Sequence, residues 1–241
     1  MTRLTRELIR KKAEHHEGIL PDLEEISLHQ LELERIEVVG DICRKIQILY
    51  LQNNIIPKIE NLSHCKDLQY LNVALNNIER IEGLRTCEFL NKLDLTVNFI
   101  DLDTLEDSIT HLQPRDRLRD LYLMGNPAEA NWIHFKTYVI GKLPQLTNLD
   151  GADITRSMLI KAQQELPKLE LELREIAKNI RRSKAQKAED AKKAKFASKS
   201  KSKGKVIESR VVELDEDDNE ILVEDVSDSE DDDDENKPLD P

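Results

Sequence analysis

One pattern, LxxLxLxxNxI, recurs along the first half of the chain and constrains its fold more than any other feature. The copies are Ile46, Leu49, Leu51, Asn54, Ile56; then Leu68, Leu71, Val73, Asn76, Ile78; then Leu90, Leu93, Leu95, Asn98, Ile100; then Leu118, Leu121, Leu123, Asn126. A degenerate first copy reads Leu23, Ile26, Leu28, with Leu31 where asparagine is expected and Leu33 after it. The key leucine steps from 28 to 51, 73, 95 and 123, a repeat of 22 to 23 residues with one of 28. Each copy reads as one short strand whose LxL pair points inward. The asparagine then turns the chain, its amide bonding backbone groups left open at the strand end. A second apolar set, Ile36, then Ile59 and Leu62, then Ile81 and Leu84, marks the return along the convex side. One copy cannot bury its own apolar face, so the copies must stack. The expected fold is an α/β leucine-rich-repeat solenoid.

The ends of such a stack need covers. Leu4, Leu8 and Ile9 suit an amphipathic helical cap within residues 1–21, ahead of repeats over 22–128. Over 129–151, the Tyr138, Val139, Leu143, Leu146 and Leu149 stretch predicts a strand-like end closing the last repeat. The six extra residues of the fourth repeat, near Asp103 to Gln113, are either a lengthened convex helix or a protruding surface loop. A helix or short coiled coil is expected over 152–195, capped by Thr155, with a heptad seam at Leu159, Ala162, Leu166, Leu169, Leu173, Ile176 and Ile180. Pro167 should kink or split it. The seam either folds back on the array or pairs with a second chain through 159–180.

Charge divides the 241 residues further. The net −12 separates into −7 over 1–177, +10 over 178–205 and −15 over 213–235. Like-charge blocks with little apolar content do not recover the entropy of ordering, so 196–241 reads as a disordered basic-then-acidic tail. Ser227 and Ser229 each have an acid three positions on, which suits an acid-directed kinase. The basic block has one aromatic, Phe196, and so no stacking series for nucleic acid; it reads as a solvated linker, with a nuclear signal as the alternative. No apolar run is long enough for a membrane span, and the N-terminus has no secretory signal, so three cysteines imply free thiols in a reducing compartment.

No catalytic constellation is present: no phosphate loop, GxSxG or HExxH appears, and the histidines lack metal-ligand spacing. Cys43, Cys65 and Cys87 are 22 apart, so they stack as a ladder of small apolar residues rather than converge as zinc ligands. No enzyme, metal, cofactor or small-molecule substrate is expected. What a solenoid offers instead is its concave sheet. The central outward column is Ser27, Tyr50, Asn72, Asp94 and Tyr122. Gln52, Thr96 and Met124 lie in the next column with His29 and Ala74, and Tyr70 lies in the preceding one with Glu25, Ile48, Lys92 and Asp120. Three of four tyrosines in these columns point to a protein-binding face.

The strings ELIRKKAEHHE, LEEISLHQLELERIE, CRKIQILYLQNNIIPKIENL, LQYLNVALNNIERIEGL, CEFLNKLDLTVNFI, LYLMGNP and LPQLTNLDG, over residues 7 to 151, resemble the tilB-type leucine-rich-repeat proteins, a dynein axonemal assembly factor family. The resemblance implies a non-enzymatic cytoplasmic factor that helps pre-assemble dynein arms, with co-chaperones, other assembly factors and dynein subunits as partners, for cilium or flagellum motility. It also implies a location in the cytoplasm with cilium, flagellum or basal-body association. Members usually carry a C-terminal CS-type β-sandwich domain, which these 241 residues lack. Two other readings fit a repeat array with such a tail: a nuclear acidic leucine-rich phosphoprotein that shields histones, and a basal-body or spliceosomal structural subunit.

Overall fold

Each LxL pair closes a three-residue strand because alternate side chains of an extended backbone point to one face. The strands are β1 (Glu25–Ser27), β2 (Ile48–Tyr50), β3 (Tyr70–Asn72), β4 (Lys92–Asp94) and β5 (Asp120–Tyr122). They pair in sequence order and in parallel, with Ser27, Tyr50, Asn72, Asp94 and Tyr122 in register. A computed structural model is the basis of this description; it describes residues 2–13 and 19–205, with backbone alone for 194–205. Ser227 and Ser229, and the acidic block around them, lie outside the described residues. Two units divide after Gln186, the first holding the whole array.

The core is a stack of aliphatic rows. Leu49, Leu71, Leu93 and Leu121 form one, and Leu28, Leu51, Val73, Leu95 and Leu123 the next, all fully buried. Cys43, Cys65 and Cys87 form a third row, buried as free thiols. Burial pushes their ionisation up to about 11, about 12 and about 11. Arg115, eight residues before Leu123 as the cysteines are before Leu51, Val73 and Leu95, continues this row. Its guanidinium donates to the carbonyl oxygens of Leu84 (3.1 Å) and Arg85.

The asparagines hold successive turns together. Asn98 Oδ1 accepts the Ile78 N–H at 3.0 Å, while Nδ2 donates to the carbonyls of Val73 and Leu95, both at 3.0 Å. Asn54, Asn76 and Asn126 repeat the arrangement, and all four are nearly or fully buried. Every set reaches into the preceding repeat, so the first copy, which has no predecessor, can do without the asparagine and carries Leu31. At the far end Asp150 takes over, its Oδ1 accepting the N–H groups of Leu123 (2.7 Å) and Met124 (3.0 Å).

The N-terminal cover is α1 (Arg6–Lys12), started by Thr5, whose hydroxyl accepts the Leu8 N–H; Leu4, Ile9 and Ala13 are buried. A short α2 (Val39–Ile42) lies on the return path of the first repeat. The fourth repeat's extra residues form a helix rather than a loop: α3 (Leu102–Leu112) buries Leu102, Leu105, Ile109 and Leu112 at 3-4-3 spacing. Its Ser108 hydroxyl and His111 Nε2 accept the N–H groups of Ile81 and Leu84 from the preceding repeat.

The expectations for the C-terminal part of the array are corrected. Tyr138 and Val139 belong not to a strand but to α5 (Phe135–Lys142), which follows α4 (Pro127–Asn131). Only β6 (Asn148–Leu149) extends the parallel sheet, and β7 (Ala152–Asp153) turns back on it antiparallel. Buried Phe135, Tyr138 and Val139 sit at 3.6-residue rather than alternating spacing, which selects the helix. The helix α6 (Arg156–Lys205) runs through Pro167 without a break and passes the boundary at 195 drawn from composition. Its seam is occupied within the chain: Ala162, Leu169, Leu173 and Ala177 are buried, and Leu159, Leu166, Ile176 and Ile180 pack against the same core. Self-pairing through 159–180 would have to expose these residues, so this reading is set aside. Packing on both sides of Pro167 offsets the roughly 3 kcal/mol that an internal proline costs a helix. Polar bonds reinforce the contact: Arg174 to Glu106 (2.9 Å), Lys184 to Asp103 (2.8 Å) and to Asp101 (3.0 Å), and Trp132 Nε1–H to Glu172 (2.8 Å). Gly141 allows the approach, since a Cβ there would stand 3.0 Å from the Ala162 carbonyl oxygen.

Candidate protein-interaction surface

Outward positions of three-residue strands in register form columns, so side chains distant in sequence become neighbours about 4.8 Å apart. Tyr50 and Tyr70 meet edge to face with ring centroids 5.5 Å apart. The Lys92 ammonium lies over the Tyr70 ring at 4.8 Å and the Tyr122 ring at 5.2 Å, which links all three tyrosines into one cluster. Asn72 Nδ2 donates to the Tyr70 hydroxyl at 3.2 Å, and its Oδ1 accepts the Ala74 N–H. Burial, then the Asp94 carboxylate, hold the Tyr70 phenol above its ordinary ionisation range. Asp94 Oδ1 accepts the Thr96 N–H at 3.0 Å, which fixes its rotamer. Ser27, in register with Tyr50, bonds His29 on the edge strand.

Gln52, Thr96 and Met124 occupy the next column. Gln52 Oε1 is buried without a partner among the described residues, and Met124 is half exposed. The arrangement is apolar aromatic area with polar tips and fixed carboxylates, on a rigid sheet, which is suited to docking a folded or helical partner. Asp94 and Asp120 form no ion pair among the described residues. Asn54, Asn76, Asn98 and Asn126 are buried behind this face and contribute only to the array. Among the described residues no group of three or more His, Cys, Asp or Glu is placed to hold a metal ion, and no helix is long and apolar enough to cross a membrane.

The columns are continued by residues that the repeat pattern alone did not single out. Leu75 and Val97 are about half exposed, and Phe99 is 56% exposed, on the rim beside Met124. Their signal was present: the residue before each asparagine needs a left-handed backbone, and Asn53 and Gly125 at that position announce it.

A parallel sheet with one strand per turn, an internal asparagine ladder and capped ends together define a leucine-rich-repeat protein, and the chain belongs to that class. No protein-family model matches it. Dynein axonemal assembly factor 11 of Xenopus tropicalis is 52% identical over 192 residues, which is 79% of this chain and 40% of that protein. Protein tilB of Drosophila melanogaster is 48% identical over 168 residues, 70% of this chain and 42% of that one. Among solved structures, a chain of the Drosophila melanogaster SNF/U2A′ complex superposes with a TM-score of 0.58 at 30% identity, over 68% of this chain and 92% of that chain. The chain is thus a homologue of the tilB and dynein axonemal assembly factor 11 proteins, and it spans about two fifths of their length.

Proposed function

We propose that this chain is a non-enzymatic interaction scaffold in the cytoplasmic pre-assembly of axonemal dynein arms, and that it serves cilium or flagellum motility. The observation that carries the reading is identity of about half the residues, across most of the chain, with proteins named as dynein axonemal assembly factors and tilB. The partner, an assembly factor, a co-chaperone or a dynein subunit, docks on the concave face formed by Ser27, Tyr50, Gln52, Tyr70, Asn72, Asp94, Thr96, Tyr122 and Met124. The protein resides in the cytoplasm and associates with the base of the cilium. Replacing Tyr50 and Tyr122 together by alanine should cut recovery of axonemal dynein chains and their assembly factors on the tagged protein at least about fivefold, with an unchanged circular dichroism spectrum. Unchanged recovery would remove the concave face from the account.

A second reading has one observation in its favour. The likeness to a chain of the SNF/U2A′ complex suits a structural subunit of a protein complex. Localisation of the tagged chain separates the two, because a nuclear signal supports the subunit and a diffuse cytoplasmic one the assembly factor.

A further inference from the structure

Between the strand and the buried asparagine, every full repeat passes through one residue with positive φ: Asn53 (58°), Leu75 (54°), Val97 (53°) and Gly125 (75°). The backbone needs this turn, since the N–H groups of Asn53, Leu75 and Val97 donate to Ala74, Thr96 and Met124 at 2.8–3.0 Å. Asparagine and glycine adopt it cheaply, whereas leucine and β-branched valine do not. Both strained side chains are about half exposed, so the core gains little from them. They adjoin exposed Phe99 and Met124, and Gly125 keeps the space beside Val97 open, where a Cβ would stand 3.0 Å from Val97 Cγ2. The result is an open apolar groove of about 480 Å³ along the rim of the sheet. Strain that local packing does not explain, supporting an exposed apolar patch, is the mark of a binding surface.

Charge selects the occupant. No lysine or arginine lines the groove. Carboxylates stand beside it: Asp94, whose Oδ1 accepts the N–H of Thr96 next to Val97, and Glu129, which accepts the Gly125 N–H. Lys92 is engaged over the tyrosine rings. Successive repeats stand about 4.8 Å apart, close to the 5.4 Å rise of one helical turn, so residues at i and i+4 of a helix laid along the rim meet successive repeats. We propose that the groove seats an amphipathic helical segment of a partner, with apolar residues against Leu75, Val97 and Phe99 and lysine or arginine facing Asp94 and Glu129. This deepens the concave-face reading and rests on it. The chain's own 213–235 segment, with 15 acids and no base, has the wrong charge for this occupant.

The test uses the full chain, methyl-labelled, and two 18-residue amphipathic helical peptides, one of Leu and Lys and one of Leu and Glu. At about 0.15 M salt the Leu/Lys peptide should shift the methyl resonances of Leu75, Val97 and Met124, and the Leu/Glu peptide should not. Combining Leu75→Asn with Val97→Gly removes the apolar groups and the strain together. That variant should melt no lower than the parent yet bind at least about tenfold more weakly. Asp94→Asn with Glu129→Gln should weaken binding by a smaller factor that vanishes at high salt. Shifts confined to residues 213–235, equal binding of both peptides, or full binding by the Leu75/Val97 variant would each overturn the proposal. So would sedimentation showing a dimer that Val97→Gly dissociates, which would give the groove to a second copy. Loss of dynein-chain recovery in the tyrosine variant, with no peptide shift at the rim, would sink this inference and leave the concave-face reading standing.

Discussion

Replacing Asn98 by alanine tests whether the asparagine ladder, rather than leucine packing alone, holds adjacent repeats in register. The side chain is 3% exposed and makes three hydrogen bonds of 3.0 Å. Its loss does not affect the three partners equally. The Val73 carbonyl keeps the Asn76 amide at 3.1 Å, and the Leu95 carbonyl keeps the Asn126 amide at 2.9 Å. The Ile78 N–H has no other acceptor and is orphaned in the core, at about 1–3 kcal/mol. Two half-satisfied carbonyls and a small void add about another 1–2 kcal/mol. The expected loss is about 3–4 kcal/mol, or roughly 10 °C in melting temperature for a unit of this size. Asn98→Asp should be at least as damaging at neutral pH, because it turns an acceptor toward the two carbonyls and buries a charge. It should recover partly in acid, where the protonated carboxyl can donate once. Asn53→Gly is the control: it removes the neighbouring exposed side chain while keeping the positive φ, and should cost less than about 1 kcal/mol. Urea and thermal unfolding followed by circular dichroism measure all three. A loss below 1 kcal/mol for Asn98→Ala would refute the ladder as a main tie between repeats.

Two further outcomes follow from burial. Leu173 is fully buried where α6 meets the array, so Leu173→Ala should cost about 2–5 kcal/mol and expose the residues between 156 and 186 to limited proteolysis; unchanged cleavage there would contradict the packing of the seam. Stability should fall as pH rises above about 9, because unfolded thiols ionise while Cys43, Cys65 and Cys87 keep their protons to about 11 or 12. The slope is at most about 1.4 kcal/mol per pH unit for each thiol, and replacing Cys65 by alanine should reduce it, as alkaline urea titrations would show.

The array was legible because its signal is redundant: four copies state the same strand, turn and return, and the register of Tyr50, Asn72, Asp94 and Tyr122 follows from counting. The C-terminal cover was less so, since FKTYVIGKLPQLTNL carries the LxxL opening of one more repeat at Leu146 and Leu149 and a helical spacing at Phe135, Tyr138 and Val139. Only the end of the sheet decides between them. A heptad seam states that Leu169 and Leu173 will be buried, not by what, and the unpaired end of a solenoid supplied the answer. Of the binding face, the tyrosines were visible as outward positions, but their link through Lys92 depends on rotamers. Leu75 and Val97 looked like ordinary repeat filler until their positive φ showed that the backbone asks for Asn or Gly there.

The central claim is that this repeat face serves dynein-arm assembly. It is tested most directly by electron microscopy of axoneme cross-sections from a flagellated cell depleted of the protein and then supplied with the full chain or its Tyr50→Ala/Tyr122→Ala variant. The account predicts dynein arms missing on depletion, restored by the full chain and not by the variant. Intact arms after depletion, or equal restoration by the variant, would contradict it.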